Sequence, residues 1–311
     1  MRALLIVNPK ATTTSARSRD VLAGALRSEL DLRLGYTRRR GHAGVLAREA
    51  ASEDVELVVA LGGDGTVNEV VNGLMSVPEE IRPALAVVPG GSTNVFVRAL
   101  GLPREWYEVT GVLLQALREG RSRTIGLGLA DDRYFTFCAG LGLDAAVVRR
   151  VENARRRGRR STPALYMRSI VGEFLLERHK PEMVLSTGME DGSTGMEVED
   201  EALSSVIVQN TAPWTYLGGR AIHPNSAASF DTGLDVLGIR ALARPSTVRT
   251  MAQLLSIDGD PDGKHVVRHH DLSEFAVTSP TPQAFQLDGD YLGEREKVRF
   301  AAVPRALRVI C

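Results

Sequence analysis

Cysteine is almost absent from this chain: Cys138 and Cys311 are the only two, and neither stands at a zinc-ligand spacing from the other or from a histidine. That spacing excludes a disulfide framework and a cysteine-based metal centre, and a reducing compartment is expected. Net charge is absent too. Lysine plus arginine equals aspartate plus glutamate, 38 against 38, so bulk charge gives no basis for nucleic-acid binding, and an electrostatic partner must be met locally. Long hydrophobic runs are also missing, for no stretch approaches the ~20 apolar residues that a bilayer span needs. The apolar start Ala3–Val7 is shorter than a signal-peptide core and is interrupted by Asn8-Pro9, which predicts a strand. No internal repeat or low-complexity segment occurs.

What is present is the composition of a folded protein, with 43% hydrophobic and 24% charged residues. A chain of 311 residues exceeds one ordinary core and predicts two domains. In the first third, strands are expected near Ala3–Val7, Asp31–Tyr36, Val55–Leu61 and Ala84–Val88. Helical spacing lies between and after them, at Ser15–Glu29, Gly41–Ala51, Thr66–Met75 and Thr93–Leu100. This alternation predicts a parallel sheet with helices on its faces. Beyond about Gly120 the texture becomes mostly antiparallel β, with strands at Thr124–Ala130, Arg133–Ala139, Met183–Thr187, Leu203–Gln209 and Val236–Leu242. Helical stretches at Leu143–Arg157 and Ala164–Glu177 interrupt it. The expected boundaries are 1–124 for an α/β domain, with a tail of about 301–311 packing back on it, and 125–300 for a β domain.

Two glycine-rich turns follow neighbouring strands of the first domain. In Gly62-Gly63-Asp64-Gly65-Thr66-Val67-Asn68-Glu69 a buried strand turns directly into a helix, exposing backbone N–H groups where a bulky anion can approach. A carboxylate such as Asp64 beside a phosphate cradle makes sense when a magnesium ion or a reacting proton lies between them. The plainer alternative is a tight turn in which Asp64 and Thr66 cap the helix. The run is neither a dinucleotide fingerprint, since Asn68 stands where the third glycine belongs, nor a P-loop, which ends in Gly-Lys-Ser/Thr. A second turn, Pro89-Gly90-Gly91-Ser92-Thr93-Asn94, follows the next strand and again opens a helix. Two phosphate-compatible turns on adjacent strand ends fit a nucleotide triphosphate. Asn8-Pro9-Lys10-Ala11 supplies a third rim, and Thr37 before Gly41-His42-Ala43 a fourth.

With these motifs, and with Leu287-Asp288-Gly289-Asp290 near the carboxyl end, the sequence resembles the diacylglycerol kinase catalytic-domain family. That family of lipid kinases also includes the sphingosine and ceramide kinases. The resemblance implies an α/β nucleotide-binding domain, a carboxyl-terminal β-sandwich domain that takes the lipid, and an active site in the cleft between them. It implies ATP and Mg2+ as cofactors and transfer of the γ-phosphoryl group to a lipid hydroxyl, with diacylglycerol giving phosphatidic acid. Carried over by position, Asn8, Thr37, Gly63, Asp64, Gly65, Thr66, Val67, Asn68, Glu69 and Ser92 look like nucleotide contacts. Asp290 looks like the general base, Asp64 like a partial holder of the catalytic magnesium, and Asp288 like a support for the site or the metal. Phe230-Asp231-Thr232-Gly233-Leu234-Asp235-Val236 is similar to the family's structural magnesium site. There Asp231 would supply a side chain or main chain, and Leu234 and Val236 only carbonyl oxygens. Where the bacterial pattern has an aspartate after the asparagine of the second turn, this chain has Val95, a departure shared with the sphingosine-kinase branch.

Read alone, Asp288-Gly289-Asp290 is a hairpin turn. The densest basic segment, Arg149-Arg150 with Arg155-Arg156-Arg157-Gly158-Arg159-Arg160, is followed by Leu165-Tyr166-Met167 and Ile170-Val171. It fits either docking on anionic lipid headgroups or a solvated loop between two helices. Arg38-Arg39-Arg40 faces either phosphates or water. His42, His269 and His270 have no metal spacing and are expected to be structural. A lipid substrate implies a cytoplasmic protein in peripheral contact with the membrane, with no nucleic-acid partner, and a homodimer is left open. The rival functions are an NAD kinase, which shares the Gly-Gly-Asp-Gly-Thr turn, and a catalytically silent lipid- or nucleotide-binding protein.

Overall fold

Valine, leucine and alanine fill the first, third and fourth strands because these lie buried inside the sheet, where a strand reads as a continuous apolar run, whereas the second, Asp31–Tyr36, is partly exposed. The computed structural model describes residues 1–12, 15–157, 169, 182–187, 199–240, 249–250, 252–254, 256 and 259–311. Apart from Ser169, the helix expected over 164–177 lies outside them, as do residues 158–160 of the basic run. The chain divides into two compact units, Met1–Leu127 with Pro304–Cys311, and Gly128–Val303.

In the first unit, β1 (Arg2–Val7), α1 (Ala16–Leu26), β2 (Asp31–Tyr36), α2 (His42–Ser52), β3 (Leu57–Gly62), α3 (Asp64–Met75), β4 (Ala84–Pro89), α4 (Val95–Ala99) and α5 (Trp106–Glu119) follow one another. A 3-10 turn, Glu79–Ile81, precedes β4. The strands are parallel, in the order β4-β3-β1-β2, and β3 and β4 are buried throughout. Their carboxyl ends therefore share one edge. Beyond β4 the chain terminus adds to the sheet: Val309 pairs parallel with Leu85, and Ile310 N–H donates to the Leu85 carbonyl at 2.8 Å. Arg82 fixes this segment by donating to the Ala306 carbonyl at 2.8 Å. Helix α5 was not among the expected elements, although its buried Val109, Leu113 and Ala116 recur at helical spacing.

β5 (Arg123–Ala130) leads into the second unit. There follow β6 (Arg133–Phe135), β7 (Cys138–Gly142), α6 (Leu143–Arg156), β8 (Met183–Ser186), β9 (Glu199–Leu203), β10 (Ser205–Gln209), β11 (Thr215–Leu217), β12 (Arg220–Ile222), β13 (Leu234–Ile239), β14 (Val266–Leu272), β15 (Glu274–Leu287) and β16 (Asp290–Val309). The pairing is antiparallel, in the order β14-β13-β10-β7-β15-β16, with β11 and β12 as a separate hairpin. Besides its ladder with β16, β15 serves two more, through Ala276–Thr278 to β8 and through Phe285–Leu287 to β7. Side chains of both ladders meet in one core, among them Leu141, Val206, Val208, Leu185, Leu203 and Phe300.

The single strand expected over Arg133–Ala139 is in fact two strands. The N–H groups of Thr136, Phe137 and Cys138 donate to the Asp288 carboxylate at 2.8, 3.0 and 3.1 Å, which breaks the strand at Thr136 and Phe137, and Cys138 opens β7 opposite Gln209.

Two features of packing have direct consequences for stability. α2 and α3 approach at Gly44 and Gly73, where a Cβ on Gly73 would lie 2.2 Å from the Gly44 carbonyl oxygen. In the second unit, the Asp144 carboxyl is buried in the first turn of α6. Burial pushes its pKa up to about 7, against the opposing effect of a hydrogen bond from Gln286.

Gly73→Ala is expected to lower stability by at least about 1–3 kcal/mol through overpacking against backbone. Gly24→Ala, in α1 with nothing within 4 Å of the added carbon, should raise it by about 0.5–1 kcal/mol. Equal effects in denaturant titrations would refute the close approach. Asp144 makes stability depend on pH. Between about pH 4 and 7 the unfolded chain releases a proton that the folded protein keeps, so stability falls as pH rises, by up to about 4 kcal/mol, and levels off above 7. Asp144→Asn should remove this component, and unfolding curves that run parallel for the two proteins from pH 4.5 to 7.5 would contradict the burial.

Candidate active site

Each rim of the candidate site in the first unit is built by a strand end. At β3, Gly63 is the N-cap of α3 in an extended conformation, and Thr66 and Val67 N–H donate back to its carbonyl at 2.9 and 3.1 Å. The N–H groups that precede these at the start of such a helix lie before the first intrahelical bond and, with the helix dipole, suit an anion. At β4, the Gly90–Thr93 turn is closed by Asn94, whose side-chain oxygen accepts from Gly91 N–H at 2.9 Å while its amide donates to the Gly91 carbonyl at 2.8 Å. The two turns touch. Gly90 N–H donates to the Gly62 carbonyl at 2.8 Å, and a Cβ on Gly91 would fall 2.7 Å from Gly63 Cα. Only glycine allows that approach, so two sets of main-chain groups sit side by side at neighbouring strand tips.

The other rims are tied to the same place. Asn8, just past β1, donates from its side-chain amide to Thr66 Oγ1 at 2.9 Å, and its oxygen accepts from Lys10 N–H at 3.0 Å. Thr37, past β2, is half-buried and donates its N–H to the Val7 carbonyl at 2.9 Å. Glu69 reaches from α3 to the start of α2, accepting from Gly41 and Ala43 N–H at 2.7 and 3.1 Å. This places a carboxylate on a helix N-terminus. Val67 and Asn68 are each 1% exposed, so their side chains point into the core, whereas Gly63, Asp64 and Gly65 are half-buried and Ser92 is exposed.

The N-cap of α3 is Gly63, which has no side chain to offer, and Asp64 is the first residue of the helix. Asp64 Oδ1 accepts from Phe96 N–H at 3.2 Å, which links the first glycine turn to α4 after the second. Val95, the residue in place of an aspartate, is buried at the start of α4. Gly91 and Asn94 were not singled out as contacts from sequence, and their Gly-Ser-Thr-Asn spacing was the signal that could have found them.

In the second unit, β15 and β16 are joined by a two-residue turn, Asp288 and Gly289, both at positive φ (48° and 79°). This is the Asp-Gly turn whose twist suits a hairpin. Asp290, half-buried, opens β16 opposite Leu287. Asp288 is 4% exposed. Besides the three main-chain donors of the 136–138 segment it accepts from Thr136 Oγ1 at 2.9 Å, so it anchors the turn rather than meeting a substrate. Gln286 and Asp144, absent from the sequence reading, lie behind it.

Of the residues considered for the structural magnesium, Asp231 is exposed and donates its N–H to Ser229 Oγ at 3.3 Å. Leu234 and Val236 lie in β13, where a bulge toward β14 falls between them. Val236 has a partner strand on each side, through Val208 and His269, while Leu234 stands past the end of the β10 ladder. Among the described residues no group of three or more His, Cys, Asp or Glu side chains could hold a metal ion. His42 accepts from Arg38 N–H at 3.2 Å, and His269 and His270 bond Asp200 and Asp235 at 2.6 and 2.8 Å. Among the described residues no helix is long and apolar enough to cross a membrane.

Residues 2–130 match the family model described as the diacylglycerol kinase catalytic domain. A diacylglycerol kinase of Bacillus subtilis is 46% identical over 104 residues, which is 33% of this chain and 32% of that protein. A Chromohalobacter salexigens protein named "Probable lipid kinase YegS-like" is 46% identical over 102 residues, with the same coverage of 33% and 32%. The chain thus spans about a third of the length of these curated relatives. A crystal structure of a Bacillus anthracis diacylglycerol kinase superposes with a TM-score of 0.70 at 23% identity, covering 99% of this chain and 96% of that one. By sequence over residues 2–130, and by fold over nearly its whole length, the chain resembles the diacylglycerol kinase catalytic-domain family.

Proposed function

We propose that the protein is an ATP-dependent lipid kinase that transfers the γ-phosphoryl group to a lipid hydroxyl, with diacylglycerol as acceptor and phosphatidic acid as product. The observation that carries this reading is the contact of the two glycine turns at Gly63 and Gly91, which sets two strand-end turns, one of them opening a helix, side by side where a triphosphate could approach the main chain of both. Phosphoryl transfer asks for positioning and charge stabilisation more than for covalent chemistry. The main chain of Gly63–Gly65 and of Ser92 in the second turn would hold the phosphates, while Asn8, Thr37 and the Ser92 side chain supply the rim. Thr66 and Glu69 act as supports through Asn8 and the start of α2. Val67 and Asn68, buried in α3, would support the turn from behind.

A magnesium ion, when bound, would offset charge on the transferred group. The cradle fits it, because a carboxylate, Asp64, stands in the first turn beside the glycine amides. Asp290 takes the proton of the lipid hydroxyl as the phosphoryl group arrives, and Asp288 holds its turn. For a second, structural ion, Asp231 and the carbonyl of Leu234 at the ladder end suit the role better than Val236. The lipid acceptor calls for a cytoplasmic enzyme that visits an anionic membrane surface. Buried Val95 gives the second turn no acid, which keeps sphingoid bases or ceramide as a second reading of the acceptor.

Asp290→Asn should reduce turnover about 10²- to 10⁴-fold while ATP affinity stays within about twofold, since only a transition-state interaction is removed. Loss of ATP binding together with turnover would make the residue structural. Wild-type protein with labelled ATP, magnesium and a panel of diacylglycerol, ceramide, sphingoid bases and NAD should label diacylglycerol. Labelling of NAD alone, or of nothing, would overturn the proposal.

A further inference from the structure

Behind the turn that presents Asp290 lies a chain of buried polar groups, all within the second unit, that the proposed reaction does not use. Gln286 is 1% exposed, on β15, and its side-chain oxygen accepts from Gly289 N–H at 2.9 Å. This settles the orientation of its amide, because an oxygen must face that donor. The nitrogen then points the other way and donates to Asp144 Oδ2 at 2.8 Å, with Cys138 Sγ at 3.7 Å. Asp144 comes from a different element, the first turn of α6. Room for its carboxyl is left by Gly140 of β7, where a Cβ would fall 1.8 Å from Oδ2 and 2.9 Å from the Gln286 nitrogen.

The main-chain donors of the turn are thereby accounted for. A β-turn is closed by a bond between its flanking residues, here Leu287 and Asp290, and the two central N–H groups need partners elsewhere. Asp288 N–H donates to the Cys138 carbonyl at 2.8 Å. Gly289 N–H goes to Gln286, and through Gln286 to Asp144. The peptide between Asp288 and Gly289 is thus held from one side by the Asp288 carboxylate on residues 136–138 and from the other by this chain of bonds, and Asp290 follows it directly.

We infer that Asp144 and Gln286 are positioning residues for the turn that carries Asp290: Asp144 orients the Gln286 amide, and the amide fixes Gly289 N–H and so the place of the neighbouring carboxylate. The inference rests on the lipid-kinase reading for its catalytic sense. Burying a carboxyl without a cation is unfavourable, and burial indeed pushes Asp144 up to about 7. The structure nonetheless keeps it there, with a glycine opposite to accommodate it. Chains of this kind strengthen link by link in a low-dielectric interior, so removing either end should loosen the turn.

The test uses the whole protein and four variants, Asp144→Ala, Asp144→Asn, Gln286→Leu and the double Asp144→Ala/Gln286→Leu. Hydrogen exchange at Gly289 and steady-state kinetics with the lipid are both measured. Each single removal should speed exchange at Gly289 and lower kcat on the order of 10- to 100-fold, the size expected when a reacting group is misplaced. KM for ATP should stay within about twofold. The double variant should be no worse than the worse single, as two members of one chain require. Asp144→Asn, which keeps an acceptor oxygen, should recover most of kcat. Unchanged exchange at Gly289 in both singles, multiplying effects in the double, or an asparagine variant no better than alanine would each overturn the inference. A wild-type protein that phosphorylates no lipid, with Gly289 still loosened in the variants, would remove the kinase reading and leave the chain as a structural clamp, so the two failures are separable.

Discussion

The approach of one backbone to another at Gly63 and Gly91 is the constraint on which the first unit's site depends. Parallel pairing carries β3 and β4 to the same edge, and the ladder continues to Gly62 and Pro89 before the chains turn away. At that point a single methyl group on Gly91 would come within 2.7 Å of the other chain. Everything around the contact is arranged so that the turns stay there. Asn94 closes one loop on itself, Asp64 of the other accepts from the helix that follows the first, and Asn8 holds Thr66. Two acidic side chains also tie these elements together by accepting from main-chain N–H groups, Asp64 through one oxygen from α4 and Glu69 from the start of α2.

The second unit solves a related problem with a carboxylate in place of glycine. Its two-residue turn holds both central residues at positive φ, a conformation that aspartate tolerates and glycine prefers. Asp288 then accepts from three consecutive main-chain groups and a hydroxyl. The bland and the functional readings of Asp-Gly-Asp are therefore compatible. The segment is a hairpin turn, and its first acid is what makes the turn rigid enough to hold the second in place.

The architecture was legible in the sequence because its signals are local. Runs such as Leu57–Leu61 and Ala84–Val88, followed by glycines and then helical spacing, leave few alternatives to parallel strands with crossover helices, and the later alternation reads as antiparallel β. Helix α5 escaped notice because Trp106 and Tyr107 open it without a capping side chain. The break at Thr136–Phe137 was hidden because its cause lies about 150 residues away, in the Asp288 carboxylate. The motif residues could be named, but not what each side chain touches. Whether Glu69 faces a ligand or the start of α2, and whether Asp64 caps its own helix or the next, is decided by tertiary contacts that no spacing reveals. Gln286 and Asp144 belong to no motif, and only the fold brings them together.

The central claim is that main-chain groups at two touching turns, and not a set of charged side chains, bind the triphosphate. Calorimetric titration of ATP with magnesium into Gly91→Ala tests it most directly, with far-ultraviolet circular dichroism to show that the fold persists. The account predicts that ATP affinity drops at least about tenfold, because the added carbon must part the two turns and 1.4 kcal/mol of lost contacts suffices for that factor. Unchanged ATP affinity in a folded Gly91→Ala protein would contradict it.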